Sequence, residues 1–417
     1  MKNNIIFICT FFIFWLIFFP TTAIISNYTY DGWLKNLMII TMLFILRNDF
    51  KYIFNEDFKW FNISIIIFCT INIFSIIINE DTIGKYITTR IKDGEITTYH
   101  GITSPKATIY YSLSLLVFSL FIEKLSHIDK VHVFFKYLWI LSLISLLIID
   151  YDAFSHIVIN DSIGGYIIGT KFQVCYYNIY ICTLFYILHP TLKNNKEKII
   201  ITILILITLA ISIHTKCTTV AFGIFIYVSL IFIIPKKYRK KISSGKFLLL
   251  AIIIIDLGFF FFTTWLLKFN FVQNFIVNVL NEDLTLTGRL SIYQNILDAF
   301  ENNIWFGYGN GNSRIISLYY TNVENPQNGL IEIFLNIGII GCISFLMVIY
   351  NSTKQISKYD WYKYPIIVYI LTMIMISTVE VPFDKTFIFF NILLVANQLK
   401  LRENYYELNK WQSLKTK

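Results

Sequence analysis

The chain has 417 residues, 56% hydrophobic and only 15% charged, whereas soluble globular proteins carry roughly 25% charged residues, so water is not its main solvent. The formal charge of +9 could suit nucleic acid, but the basic residues fall in short segments between apolar runs and form no single interaction surface, which leaves them as topology signals. Cys9, Cys69, Cys175, Cys182, Cys217 and Cys342 lie within or at the ends of apolar runs without metal-site spacing, which argues against a disulfide framework or a zinc site.

From the N-terminus, the run Ile5 to Ile25 is long and bulky and lacks a small-residue cleavage site, so it reads as a retained helix rather than a signal peptide. A span needs about twenty apolar residues. That window predicts an all-α integral membrane protein with about twelve transmembrane helices, near 4–25, 32–46, 60–78, 107–122, 133–150, 165–189, 199–214, 217–234, 247–267, 328–349, 364–381 and 386–399. Basic loops are retained in the cytoplasm. Lys236, Lys237, Arg239, Lys240, Lys241 and Lys246 then mark one cytoplasmic loop, and Lys400, Arg402, Lys410, Lys415 and Lys417 a cytoplasmic tail. Both termini are expected inside. The organisation is nine helices over 1–267, one large external loop over 268–327, and three helices with the tail over 328–417.

The external loop reads as structured. Thr287 is placed to cap an amphipathic helix with Leu290, Tyr293, Leu297, Phe300 and Ile304 at helical spacing. A glycine-rich turn follows, Gly307-Tyr308-Gly309-Asn310-Gly311-Asn312. Nothing shows a long internal repeat, so a transporter built from visible duplication gets no support.

Two cations stand at the outer ends of spans. Lys216 lies in His214-Thr215-Lys216-Cys217, a break so short that the flanking runs form a tight hairpin; its bland reading is a lysine snorkelling at a helix end. Arg289 opens the amphipathic helix with a planar fork of donors suited to phosphate oxygens, reinforced by the helix N-terminus; alone, it would be a solvated surface residue. Glu282-Asp283 is the one adjacent acidic pair of the outer loop, with no nearby histidine, and reads as solvated surface rather than as a metal site. Of the histidines, His100 and His156 fall outside and His127, His132 and His189 inside, while His214 sits beside Lys216. Glu324 and Glu332 are further candidate bases, and Lys171, near the membrane boundary, is suited to lipid phosphate.

The block TGRLSIYQNILDAFENNIWFGYGNGNSR followed by ENPQNGLIEIFLNIGIIG resembles the signature of O-antigen ligases and the related Wzy-type O-antigen and capsule polymerases. Their pattern is an Arg, an amphipathic helix ending in Asn-Pro-x-x-Gly-x-Gly, then a His-Asn pair opening a helix that ends in Glu-x-Gly-x-x-Gly. Here these places hold Arg289, Asn303-Ile304-Trp305-Phe306-Gly307-Tyr308-Gly309, Gln327-Asn328, and Asn336-Ile337-Gly338-Ile339-Ile340-Gly341. Thr215-Lys216-Cys217 stands where the family places a Ser-Arg-Gly-like motif. Ile304 replaces the turn proline, Asn336 the glutamate, and Gln327 the histidine that is proposed to act on the acceptor hydroxyl.

The resemblance implies polymerisation of polyprenyl-pyrophosphate-linked oligosaccharide repeats into O-antigen, capsular or exopolysaccharide on the outer face of a bacterial inner membrane. The alternatives are an O-antigen ligase and a polysaccharide flippase. It implies a metal-independent, cofactor-free glycosyltransferase whose partners are the lipid-linked oligosaccharide, membrane lipids and a chain-length regulator, with no nucleic acid. Arg289 and Lys216 would clamp the leaving pyrophosphate. Glutamine cannot be a general base, so Gln327 orients a hydroxyl and the base is sought elsewhere, His214 ahead of Glu332 because its unperturbed pKa of about 6.5 suits neutral pH. Asn328, Tyr308, Asn310, Arg314 and Lys171 complete the expected site as substrate contacts. Gln327 favours polymerase over ligase.

Overall fold

A computed structural model describes residues 1–18, 28–52, 58–92, 95–155, 165–190, 192, 194–266, 269, 289–354 and 363–396. The chain is nearly all helical. In order run α1 (Asn3–Phe18), α2 (Tyr28–Leu46), α3 (Lys59–Ile78), α4 (Glu80–Ile83), a hairpin of β1 (Ile87–Lys92) and β2 (Glu95–His100), α5 (Lys106–His127), α6 (Val131–Ser155), α7 (Lys171–Leu188), α8 (Asn195–His214) and α9 (Thr218–Phe232). Then come α10 (Lys236–Ile242), α11 (Gly245–Ile252), a π turn (Ile253–Leu257), α12 (Gly258–Leu266), α13 (Arg289–Asn302), α14 (Ser313–Thr321), α15 (Gly329–Thr353), α16 (Tyr364–Ile376) and α17 (Lys385–Val395).

Among the described residues, every predicted span holds a helix. Five of them, α3, α5, α6, α8 and α15, are long and apolar enough to cross a membrane by themselves. Asn3–Phe18, Gly32–Leu46, Thr218–Phe232, Tyr364–Ile376 and Lys385–Val395 are shorter apolar helices. The segment expected over 165–189 begins only at Lys171, because Thr170 and Gln173 form a reciprocal capping box there. The one expected over 364–381 stops at Ile376, where the chain turns into Ser377 and Thr378.

Large apolar side chains cover the outside of the bundle, including Ile40, Phe44, Leu147, Leu206, Phe225 and Phe261, as expected of surfaces that meet lipid tails. The interior is different. Almost every side chain of α7 is buried, between α6, α8 and α16, and several of its polar groups are satisfied within the protein, the Tyr176 hydroxyl being an exception. Tyr177 donates to the Ser142 carbonyl at 3.1 Å, Asn178 to Asp150 at 3.0 Å and Thr183 to the Tyr227 hydroxyl at 3.2 Å. Away from water each unmet polar group costs several kcal/mol, about the scale that confines such residues to the bundle interior.

Helices α3 and α15 lie along one another and are pinned near both ends. Asn351 donates to Ser64 at 2.6 Å, and Ser75 to the Asn336 carbonyl at 2.9 Å. A further network, Ser119 to Asn62 to Glu123 at 2.8 and 3.1 Å, joins α5 to α3. In α11 to α12 the helix passes through the π turn at Asp256, whose buried carboxylate accepts from Ser377 at 2.7 Å.

At one end of the bundle a second, smaller core collects Ile83, Phe260, Ile292, Tyr293, Ile296, Ala299, Ile316 and Leu335. It seats α13 and α14. The buried face of α13 is Ile292, Tyr293, Ile296 and Ala299, whereas Leu297, expected on that face, is 45% exposed; the true stripe runs one position earlier along the helix. The hairpin, with Ile87 opposite His100 and Lys92 opposite Glu95, packs beside α14. Hydropathy alone leaves this stretch unassigned.

Candidate active site

The glycine turn and α15 interlock. Gly338 takes φ +65 inside α15, which breaks the helical ladder and frees backbone groups on either side. The turn takes them up: Tyr308 N–H donates to the Leu335 carbonyl at 2.8 Å, Gly309 N–H to that of Asn336 at 2.9 Å, and Ile339 N–H to that of Ile304 at 2.9 Å. The left-handed backbone at Gly307 (φ +61) and at Gly309 (φ +93) permits this approach. Helix α3 closes the joint from its far side: Asn79 donates to the Gly307 carbonyl at 2.8 Å and Ser75 to that of Phe306.

Asn336, where the family pattern has glutamate, is central. Its Oδ1 accepts from Gly311 N–H at 3.1 Å and Ser313 N–H at 3.0 Å, a task that needs an acceptor but no charge. Asn312 exchanges bonds with the Ile102 backbone, accepting at 2.6 Å and donating at 3.0 Å, and so ties the turn to the lead-in of α5. Tyr308 is held inward, its hydroxyl donating to the Ala299 carbonyl at 2.8 Å. Burial raises this phenol well above its usual range, which keeps it a donor.

Beside this joint opens a cavity of about 1460 Å³. Its lining comes from the C-terminal end of α1, from α3, from the N-terminal halves of α2, α5, α7 and α15, and from loops 310–314, 323–327 and 380–386. Both signs of charge face it: Lys35, Lys106, Arg314 and Lys385 with Glu324, Glu332, Glu380 and Asp384, among tyrosines 110, 111, 176 and 177. The size and the mixture of aromatic, amide and charged groups suit an oligosaccharide better than a small apolar ligand.

Five sequence candidates meet on this cavity: Gln327, Glu324, Glu332, Asn310 and Arg314. Glu332, one turn into α15, accepts from Ser313 at 3.2 Å, beside Arg314 on the next residue. Gln327 adopts φ +53, a left-handed conformation rare for its type. Its N–H donates to Asn325 at 2.8 Å and its carbonyl accepts from Tyr293 at 3.3 Å, while its side-chain Oε1 is buried without a partner. An enclosed amide oxygen without a donor is a ready acceptor for a sugar hydroxyl. Replacement of Gln327 by Ala is expected to lower turnover roughly tenfold at most, the equivalent of one neutral hydrogen bond of about 0.5–1.5 kcal/mol. Turnover in membranes of matched protein abundance measures it.

Other candidates fall elsewhere. Tyr308 and Asn328, expected to contact substrate, are committed to the fold: Asn328 caps α15, its Oδ1 accepting from Leu330 and Ile331 N–H at 3.0 Å each. Lys216 is exposed with φ +54 at the α8–α9 turn, and His214 packs on Phe154 with ring centroids 5.1 Å apart; neither lines the cavity. Lys171 opens α7 over the Phe172 ring, outside the lining, although Thr170, Phe172 and Gln173 belong to it. Arg289 begins α13, but its side chain, like Thr287, His156 and the pair Glu282-Asp283, lies outside the described part of the structure. Of the two base candidates, Glu332 lies on the cavity and His214 away from it. Sequence reasoning missed Lys35, Lys106, Lys385, Tyr176, Glu380 and Asp384. Lysines at helix starts look alike whether they meet lipid headgroups or a cavity.

No curated protein and no solved structure matches the chain. A family model described as O-antigen ligase does match, over residues 200–346, a stretch that runs from α8 to the middle of α15 and contains Lys216, Arg289, the glycine turn, Gln327, Glu332 and the Gly338 break. That stretch is similar to the O-antigen ligase family, and the glycine joint within it forms one wall of the cavity.

Proposed function

We propose that this chain is a membrane-embedded glycosyltransferase that joins oligosaccharide repeats carried on polyprenyl diphosphate, a polysaccharide polymerase in which twelve helices cross the inner membrane and the cavity opens on the outer face. The observation that carries this reading is the meeting of Arg314, Glu332 and Gln327, all from or next to the family-matched joint, on one cavity large enough for sugars. In the transfer, an acceptor hydroxyl oxygen bonds to the anomeric carbon of the donor while the bond from that carbon to the diphosphate breaks. The leaving diphosphate takes the electron pair, and its growing charge calls for nearby cations. Arg314 is the cavity cation closest in sequence to the glycine turn, and Arg289 is the sequence candidate from the same loop. Glu332 takes the hydroxyl proton, and Gln327 orients the hydroxyl.

Polymerase is preferred over ligase because glutamine replaces the histidine on which the ligase pattern relies. Ligase is the second reading, favoured by the description of the matching family. Deleting the gene separates them. A polymerase leaves lipid-linked single repeats, a ligase leaves full-length chains untransferred, and repeats trapped on the cytoplasmic face would overturn both in favour of a flippase.

Orientation is tested by impermeant thiol labelling of single cysteines in a cysteine-free background. A cysteine at position 301, exposed on α13, is expected to label from outside, and one at position 240, exposed on the basic helix α10, only after permeabilisation. The reverse pattern would turn the protein over.

A further inference from the structure

The cavity has two walls of different origin. Lining residues between 16 and 177 include Lys35 and Lys106 and no acid, whereas Glu324, Glu332, Glu380 and Asp384 all come from residues 323–386. Three of those acids are occupied on their own wall: Glu332 accepts from Ser313, Glu380 from Asn325 at 3.3 Å, and Asp384 from the N–H groups of Thr386 and Phe387 at 2.9 and 3.1 Å. The first wall lies entirely outside the family-matched stretch.

This wall is also built for an amphiphile. Lys35, only 8% exposed, reaches the cavity from α2, and Asn36 beside it donates to the Tyr110 hydroxyl at 3.0 Å, which brings α2 against the helix that Lys106 opens. Tyr176, also 8% exposed, lines the cavity, and its buried hydroxyl has no hydrogen-bond partner. Lys385 lies over the Tyr111 ring at 5.8 Å. It borders both the cavity and a narrow apolar crevice between α1, α2 and α5, lined by Ile13, Leu16, Met42, Leu115 and Phe118. Two lysines on the cavity, and a third bordering both cavity and crevice, match a lipid whose diphosphate sits in the cavity and whose tail follows the helices into the bilayer.

Resting on the polymerase reading above, we propose that Lys35, Lys106 and Tyr176, with Lys385 at the crevice mouth, form a second polyprenyl-diphosphate seat, for the lipid-linked acceptor. Polymerisation needs two such lipids at once. One glycosidic bond forms and one sugar–phosphate bond breaks, and the electron pair leaves on the donor's diphosphate. The acceptor's own diphosphate stays uncleaved and needs only to be held. The wall that contains the family-matched joint handles the donor, and the first wall, with Lys385, holds the lipid that will carry the product.

The test counts lipids. The purified full chain is titrated with a long-chain polyprenyl diphosphate lacking sugar, and bound copies are read by native mass spectrometry, with polyprenol as the control for adventitious lipid. Wild type is expected to hold two copies. Lys35→Ala/Lys106→Ala and Tyr176→Phe are expected to lose the second copy at least tenfold in occupancy while the first remains, and Lys35→Arg/Lys106→Arg to keep both. Because Lys35 is buried, Lys106→Glu at an exposed helix start provides the same test where the double variant fails to fold. One copy on wild type, or two that persist in every variant, overturns the second seat and leaves the lipid-diphosphate reading standing. No copy on any protein overturns that reading itself.

Discussion

Replacing Gly338 with alanine is expected to leave little folded protein. The residue sits at φ +65, where a side chain costs about 1–2 kcal/mol, but conformation is the smaller part. A Cβ there would strike the Trp305 carbonyl and come within 2.5 Å of Phe306 N. These are backbone atoms, pinned by the Ile339 and Ile340 N–H bonds to Ile304 and Trp305, so nothing can swing aside. Gly307 is the reciprocal case, its Cβ meeting Gly338 N and the Leu335 carbonyl at 2.6 Å each. Against a total stability of about 5–15 kcal/mol, a loss of several kcal/mol separates the turn from α15. Gly311→Ala is the control. Its φ of +90 is strained, yet only the end of the Ile102 side chain lies near, at 3.3 Å, and the expected cost is about 1 kcal/mol. Fluorescence-detected size exclusion on tagged protein, before and after heating, measures all three. A monodisperse Gly338→Ala protein that melts like wild type would show that the interlock is not what holds the joint.

Glu332→Gln is expected to fold normally and to lower turnover by about 10²–10⁴-fold, the range for loss of a general base. Glutamine keeps the size of the side chain and can still accept from Ser313, so a structural role would survive the change; only proton transfer is lost. Substrate KM should move little. His214→Ala, on a side chain packed against Phe154 away from the cavity, should stay within about tenfold of wild type, a barrier change of about 1.4 kcal/mol or less. Near-normal turnover in Glu332→Gln together with a dead His214→Ala would return the base to the α8–α9 turn.

The helices were the legible part, because hydropathy is a local property and each apolar run carries its own signal. Their ends were less so, and Lys171 shows why: a capping box at Thr170 and Gln173 starts α7 at a point the apolar window overran. The hairpin had a readable signal, Asp93-Gly94 between two runs rich in Thr and Ile, which a search for membrane spans passes over. At the site, Gln327, Glu332, Asn310 and Arg314 could be found because they lie close in sequence around one motif. Lys35, Lys106 and Tyr176 could not. Their significance lies in facing the same space as residues more than a hundred positions later, and pattern along the chain carries no trace of that. Asn328 is a different case, since a polar residue opening a helix reads alike whether it contacts substrate or caps the helix, as its side chain does here.

The bond between Ser377 and Asp256 bears on how the protein is made. The Asn62–Glu123 pair spans 61 positions and can close while the first half of the chain is still emerging, but Asp256 must wait for a partner 121 positions later. A carboxyl group at the centre of a crossing helix costs about 2.5–3.5 kcal/mol at insertion. During that interval the segment bearing the π turn is poorly suited to lateral release into lipid. If α11 and α12 cross the membrane as proposed, biogenesis should hold them at the insertion machinery, or at a protein neighbour, until α16 arrives, and a ribosome stalled before Ser377 would leave this helix the readiest to slip back out of the bilayer.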